Sequence, residues 1–306
     1  MTALETISAR SRDGVHLHVE VHGNPDGPTL VLSHGWTCSI RFWLPLIAEL
    51  AADYRLVAYD QRGHGLSDRA PGSGRSTGWY GVPALAEDLA AVLDAAAGPG
   101  PVILVGHSMG GMTIMAAGDS LPVLSRTRAI LLSSTGASDL ATTTALIPGR
   151  LGKHLARRLL RGATPLGPPT RLSARLLAYG TLGPRPGRAL AAENAAIIHA
   201  CPRGTRSGWG RVLETLDVRE GAARLAVPTA VLVGSADRLT PPGQSDRIAA
   251  LLPQLYSTTR LPGIGHMAPM ENPAALAALI RELDAATAAE PAPVVPTVPT
   301  AISSPE

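Results

Sequence analysis

The 306-residue sequence contains few cysteines and few aromatic residues, and each scarcity excludes a class of protein. Only Cys38 and Cys201 are present, so the chain lacks the disulfide framework of a small secreted domain. Aromatic residues make up 3% of the chain and do not interleave with basic tracts, so nothing in the sequence indicates nucleic-acid binding. No uninterrupted apolar run approaches the roughly 18 residues of a membrane-spanning helix.

Cofactor signatures and targeting signals are missing as well. The sequence has no His-Glu-x-x-His, no paired Cys-x-x-Cys and no strand-associated Gly-x-Gly-x-x-Gly, so neither a metal nor a dinucleotide cofactor is predicted. The amino-terminal residues lack a basic segment followed by an apolar run, and we therefore expect a cytoplasmic protein without a signal peptide. Hydrophobic residues are abundant at 45%, which is enough to fill a large core and predicts a folded chain.

Short apolar runs alternate with amphipathic stretches, as expected for the strands and crossover helices of a mostly parallel α/β sheet. Residues 16–21 alternate with period 2, which predicts a half-exposed edge strand. Continuous apolar runs predict strands buried on both faces over residues 29–33, 55–59, 102–106, 129–133 and 229–233. Helical spacing of apolar residues occurs over residues 42–51, 82–96, 109–119 and 273–286.

The alternation stops between about residues 136 and 224, which we interpret as a helical lid inserted into one domain covering residues 1–288. Residues 150–211 include eleven arginines and one lysine but a single acidic residue, Glu193. Two interpretations stay open: an anionic substrate or acidic carrier protein binds this basic lid, or the arginines are solvated on helix surfaces. Residues 289–306 are rich in Pro, Thr and Ser, which predicts a disordered tail.

The most informative stretch, residues 102–111, reads VILVGHSMGG. Its Gly-x-Ser-x-Gly follows a predicted buried strand and precedes a predicted helix. A serine on so tight a turn is held in a strained backbone conformation, for which Gly106 and Gly110 leave room. The turn raises the hydroxyl above the sheet and directs the helix N-terminus at a developing oxyanion. We therefore predict Ser108 as a nucleophile and the backbone N–H of Met109 as an oxyanion donor. The alternative is a serine that only caps the helix.

GHSMGG after an apolar strand resembles the α/β-hydrolase superfamily, and the resemblance extends over about residues 13–286. It implies an α/β-hydrolase fold, with a mostly parallel central sheet flanked by helices, and a triad in the order Ser, Asp, His. GSADRLTPP, after the strand at 229–233, resembles the acid loop of the family and makes Asp237 the acid. The alternative for Asp237 is an Asx turn without a catalytic duty.

Two further stretches resemble loops of that family. LPGIGHMAPMENP resembles the loop of the base, which implies His266 as the general base that Asp237 orients. SHGW resembles the His-Gly-X turn, which implies that Trp36 donates the second oxyanion-hole N–H. We expect His107 to pack or hydrogen-bond locally, and Asp60 and Arg62 to order loops. The two cysteines are expected to be reduced, although they could approach each other.

A serine at this turn disfavours the haloalkane dehalogenases and epoxide hydrolases of the fold, which use an aspartate there. We therefore predict a carboxylesterase or lipase-like serine hydrolase, which cleaves an ester with an apolar acyl group through an acyl-enzyme intermediate. A thioesterase or acyltransferase of secondary metabolism is the alternative enzyme, and the same triad also suits amide or C–C bond hydrolysis. A small-ligand-binding protein of the same fold is the non-enzymatic alternative.

Overall fold

An eight-stranded sheet runs through the part of the chain that the computed structural model describes, residues 5–70, 78–143 and 166–288. In spatial order its strands are β1, β2, β4, β3, β5, β6, β7 and β8. Pairings β1–β2 and β2–β4 are antiparallel, and all the others are parallel. The strands are β1 (Glu5–Arg10), β2 (His16–Gly23), β3 (Thr29–Ser33), β4 (Arg55–Tyr59), β5 (Val102–His107), β6 (Thr127–Ser133), β7 (Thr229–Gly234) and β8 (Leu255–Leu261).

Helices cover both faces of the sheet. They are α1 (Leu44–Leu50), α2 (Val82–Ala96), α3 (Met109–Ala116), α4 (Leu121–Leu124), α5 (Leu140–Thr143), α6 (Arg171–Thr181), α7 (Arg188–Ala200), α8 (Arg203–Thr215), α9 (Arg219–Ala222), α10 (Pro242–Ala249), α11 (Ala268–Glu271) and α12 (Pro273–Thr287). Strand side chains alternate between two apolar clusters, as Val31 and Leu32 of β3 illustrate. Helices α2 and α3 contribute to the cluster that holds Val31, and α1 and α12 contribute to the other. The central strands are therefore buried on both sides, as their continuous apolar runs predict.

The predicted strands and helices form with small shifts in their ends, but the prediction of an edge strand at residues 16–21 is wrong, because β2 lies between β1 and β4. Several elements were not predicted, among them the short helices α4 and α11. Strand β1 lies at one edge of the sheet, and of its residues only Ala9 is buried. Strand β8 lies at the other edge and has no fully buried residue. Helix α10, just after Asp237, was also missed. The predicted helix at 42–51 begins instead as a 3-10 turn, Ile40–Trp43, which α1 continues.

Between β6 and β7 the described residues form helices α5 to α9, in the region interpreted from the sequence as a lid. That the segment acts as a lid stays a prediction. Residues 144–165 of this region and the predicted tail, residues 289–306, lie outside the described residues. No helix in the described ranges is both long enough and apolar enough to cross a membrane.

The strand order places two loops side by side. Strand β3 lies between β4 and β5. The chain therefore runs from β3 to β4 on one side of it, and later adds β5 on the opposite side. Ligands of open α/β sheets bind at such a switch point, beyond the carboxyl ends of the strands. The loops that begin after Ser33 and after His107 both leave this edge of the sheet.

Candidate active site

Ser108 occupies the one-residue turn between β5 and α3. Its backbone has φ 52° and ψ −117°, a conformation that few non-glycine residues adopt. The turn is held on both sides, because the Ser108 N–H donates to the Ser133 carbonyl at 3.0 Å and the Thr135 hydroxyl donates to the Ser108 carbonyl at 2.7 Å. Ser108 is partly exposed, whereas His107 and Met109 beside it are buried. The hydroxyl-bearing residue is thus the accessible point of this turn.

Gly106 and Gly110 make the turn sterically possible. A Cβ atom on Gly110 would lie 1.8 Å from the carbonyl oxygen of Ser33, and one on Gly106 would lie 2.6 Å from the carbonyl oxygen of Gly110. Both obstacles are backbone atoms, which cannot swing aside as a side chain can. Glycine is therefore required at both positions for α3 to pack this closely against β3 and β5.

Asp237 and His266 lie on two loops and form a buried hydrogen bond. The Oδ2 atom of Asp237 is 2.9 Å from Nδ1 of His266. The Thr240 hydroxyl donates to the same Oδ2 at 2.9 Å, and the N–H groups of Leu239 and Thr240 donate to Oδ1, each at 2.9 Å. With its oxygens occupied by donors, the Asp237 carboxylate holds the imidazole with the proton on Nδ1. The His266 Nε2 atom is then free to accept a proton.

His107 links the His266 loop to the serine turn. Its Nε2 atom donates to the backbone carbonyl of His266 at 2.9 Å, and the two imidazole rings are 4.9 Å apart between centroids. The other face of His107 packs on Phe42, with ring centroids 4.5 Å apart. Burial lowers the pKa of His107 well below its usual value, so the ring is neutral. This local packing and bonding was predicted for His107, and it holds the His266 loop beside Ser108.

The loop after β3 approaches the same turn. A Cβ atom on Gly35 would lie 3.0 Å from Cβ of Ser108 and 2.8 Å from Nδ1 of His107, so only glycine allows this contact without a shift. Among the described residues, no backbone carbonyl accepts a hydrogen bond from the N–H of Trp36 or of Met109. The two amides predicted to form the oxyanion hole therefore belong to segments that meet at Ser108.

Asp60 and Arg62 order the surrounding loops, the role predicted for them. Asp60 accepts the N–H of Ile40 at 2.8 Å and that of Leu66 at 2.9 Å. The Arg62 guanidinium is fully buried and forms a two-pronged ion pair with Asp88 at 2.6 and 2.7 Å. Its remaining donor reaches Asp13 at 2.8 Å and the carbonyl oxygen of Trp79 at 2.9 Å. These bonds tie the loop after β4 to the turn between β1 and β2 and to α2.

Two residues of the site, Thr240 and Glu271, were not predicted from the sequence. Thr240 lies three residues after Asp237, a spacing that suits a side chain capping its own loop. Glu271 accepts the N–H of Gly265 at 3.0 Å and that of Gly183 at 2.7 Å, and so joins the His266 loop to the segment after α6. Burial raises the pKa of Glu271. No sequence signal pairs Glu271 with Gly183, because the two are 88 residues apart.

Cys38 and Cys201 are free and buried, as predicted. Burial raises the pKa of Cys201 to about 12 and raises that of Cys38 as well, so both are protonated thiols. Across the described part of the chain, no cluster of three or more His, Cys, Asp or Glu residues could hold a metal ion.

Comparisons with known proteins show the family of the chain. Residues 30–279 match the model of the family described as "Alpha/beta hydrolase family". A pimeloyl-[acyl-carrier protein] methyl ester esterase of Xanthomonas oryzae is 30% identical over 259 residues, which are 82% of this chain and 91% of that one. A protein described as a carbamate hydrolase, from Variovorax paradoxus, is 44% identical over 97 residues, 31% of this chain and 34% of that one. The chain thus matches only about a third of that relative's length.

Solved structures with the same architecture include a thermophilic esterase from Thermogutta terrifontis. It superposes with a TM-score of 0.73 over 91% of this chain and 97% of that one, at 23% sequence identity. At this identity the superposition shows a common fold.

Proposed function

Because the chain belongs to the alpha/beta hydrolase family, we propose that it hydrolyses carboxylic esters, with Ser108, His266 and Asp237 as a catalytic triad. The observation that carries the proposal is the buried Asp237–His266 hydrogen bond beside a strained, accessible serine. A general base oriented by a carboxylate and set next to a hydroxyl is the arrangement that activates a serine.

The reaction proceeds in two halves. The Ser108 Oγ attacks the ester carbonyl carbon while His266 Nε2 accepts the hydroxyl proton, which forms a tetrahedral oxyanion. The oxyanion collapses as the protonated imidazole gives its proton to the leaving alcohol, so the acyl group remains on Ser108. Water then attacks the acyl-enzyme with His266 again as base, and the carboxylic acid leaves. Asp237 stays ionised throughout and stabilises the imidazolium.

The oxyanion is stabilised by the N–H groups of Trp36 and Met109. Gly35 brings the Trp36 segment into contact with Ser108, and Met109 is the first residue of α3, where the helix dipole favours negative charge. In related catalytic sites, loss of one such donor costs about 3–4 kcal/mol of transition-state stabilisation.

An ester substrate is favoured by the relative from Xanthomonas oryzae, whose name specifies a methyl ester and whose similarity covers most of both chains. Thioesters are the competing substrate class, since the same acyl-enzyme forms from either. Rates on oxygen esters and thioesters with matched acyl chains distinguish the two, and the dependence on chain length separates a short-chain esterase from a lipase-like enzyme.

The test of the mechanism is covalent labelling by a fluorophosphonate together with turnover of an activated ester. Ser108→Ala is expected to lose the label and to lower kcat by about 10⁶-fold. Its melting temperature should stay unchanged, because the substitution removes a single oxygen. Ser39→Ala is the control, since Ser39 lies on the loop after β3 and makes no capping hydrogen bond. Labelling of Ser108→Ala would refute Ser108 as the nucleophile. A folded wild type that neither labels nor cleaves any ester would refute the proposed reaction and favour a ligand-binding protein.

A further inference from the structure

A cavity of about 420 Å³ lies between the end of α7 and the first turn of α8. Its lining includes His199, Cys201, Arg203 and Arg206, with Leu166 on one side. The cavity thus joins an apolar wall to a strongly basic one. None of the proposed catalytic groups lines it.

Arg206 is unusual among the buried charged residues. It is 8% exposed, yet no acceptor within residues 5–70, 78–143 and 166–288 bonds or pairs with its guanidinium. Burial lowers the pKa of Arg206, and the like charge of Arg203 lowers it further. Arg62, the other deeply buried arginine of these ranges, has two carboxylate partners. Arg206 therefore bears a charge that the described part of the chain does not neutralise.

A guanidinium that has little contact with water and no carboxylate partner is energetically unfavourable, and an anion bound beside it would offset part of that cost. The planar guanidinium presents paired N–H donors, which match the two oxygens of a carboxylate or of a phosphate. The same argument does not apply to a neutral ligand, because a neutral acceptor leaves the charge uncompensated.

The cavity lies close to the loop that approaches Ser108. Thr205, next to Arg206 on α8, donates its hydroxyl to the carbonyl oxygen of Gly63 at 2.7 Å. The adjacent His64 accepts the N–H of Thr37 at 3.2 Å, and Thr37 lies on the loop after β3. The Cys38 N–H donates to the carbonyl oxygen of Gly35 at 3.1 Å, and Gly35 packs against Ser108. The helix that carries Arg206 is thus joined by hydrogen bonds, through the loop after β4, to the segment that contacts Ser108.

We propose that this cavity binds the carboxylate or phosphate group of the substrate and that Arg206 receives its negative charge. The preferred substrate is then an ester that carries an anionic group at the end remote from the scissile bond. This inference rests on the proposed ester hydrolysis for the reaction, and on Arg206 alone for the charge preference.

The test compares three methyl esters of equal chain length: methyl hexanoate, monomethyl adipate and methyl 6-(phosphonooxy)hexanoate. For each anionic ester, the ratio of its kcat/KM to that of methyl hexanoate measures the charge preference. Arg206→Gln is expected to lower this ratio about 10- to 100-fold for the preferred anion, because a charge-assisted bidentate contact is lost. Arg206→Lys should lower it less. The ester with the larger ratio in the wild type tells a carboxylate from a phosphate.

Arg211→Gln is the matched control, because Arg211 lies on the same helix, is exposed and bonds only to Ser207 at 2.7 Å in the described structure. Its ratio should stay within about twofold of the wild type. An unchanged ratio in Arg206→Gln, or an equal loss in Arg211→Gln, would overturn the inference. If the wild type hydrolyses none of the esters, the proposed function fails. The anion site is then tested by calorimetry of Ser108→Ala with glutarate and with inorganic phosphate. The inference requires that one of these anions binds, and that adding Arg206→Gln abolishes the binding.

Discussion

The strand ends around Ser108 and the cavity between α7 and α8 differ in whether their buried charges have partners. At the strand ends each buried charge named here has a partner within the chain. Asp237 accepts hydrogen bonds from His266 and from its own loop, and Arg62 is neutralised by Asp88. In the cavity, Arg206 lacks a partner among the described residues. Among the described residues, only the first region has a partner for each buried charge that it holds.

This difference separates two kinds of site. A catalytic group must be oriented before the substrate arrives, because reorganisation during the reaction raises the barrier. A contact that sets specificity works better when its charge has no partner within the protein. A ligand that supplies the opposite charge then binds more tightly than a ligand that lacks it. The comparison predicts that substitutions at the strand ends around Ser108 strongly lower the catalytic rate or the stability of the fold. Substitutions in the cavity should instead change the selectivity between anionic and neutral substrates.

After the loss of the nucleophile itself in Ser108→Ala, the largest effect is expected for Asp237→Asn. The amide cannot hold His266 in the tautomer that leaves Nε2 free, so kcat should fall roughly 10⁴-fold while substrate binding is kept. Steady-state kinetics with a neutral ester measures the change, and circular dichroism checks that the fold is intact. Asp139→Asn serves as the control, since Asp139 is the nearest acid after β6, the strand that pairs with β7. Near-normal turnover by Asp237→Asn would assign the acid elsewhere.

The next effect concerns folding, and it is expected for Arg62→Met. The substitution leaves the carboxylate of Asp88, 3% exposed, without its guanidinium partner. Breaking a buried pair in this way typically costs about 3–5 kcal/mol, which urea unfolding would measure. Arg12→Met should change the free energy of unfolding by less than about 0.5 kcal/mol, because Arg12 is exposed and lies 3.8 Å from Glu87. Equal losses in both variants would contradict the contrast.

The sequence predicted the centre of the sheet better than its edges, for a physical reason. Strands β3 and β5 are buried on both faces and therefore consist of continuous apolar residues. The edge strands β1 and β8 read ETISAR and LYSTTRL, and none of their polar residues is fully buried. In sequence, such a strand resembles a loop. It becomes a strand because a neighbouring strand supplies hydrogen bonds, which the local sequence does not show.

The candidate site divides in the same way. Ser108, Asp237 and His266 each follow a strand within a short recognisable motif, so local sequence is enough to predict them. Glu271 and Arg206 cannot be found like this, because their roles depend on distant contacts, or on the lack of them, after folding. The excess of arginine in the sequence was compatible with an anionic partner or with solvated side chains, and it could not distinguish Arg206 from the other arginines of the region.

The smallest effect, and one of opposite sign, is expected for Arg206→Met in phosphate-free, low-salt buffer. Methionine fills a similar volume without charge, so it relieves the burial of an unpaired guanidinium and its repulsion from Arg203. The free energy of unfolding should stay equal or rise by about 1 kcal/mol, in contrast to the large loss for Arg62→Met. Added phosphate should stabilise the wild type and not the variant, because only the wild type can bind it in the cavity. A loss of about 3 kcal/mol in Arg206→Met would mean that the guanidinium is already paired within the chain, and the contrast between the two regions would disappear.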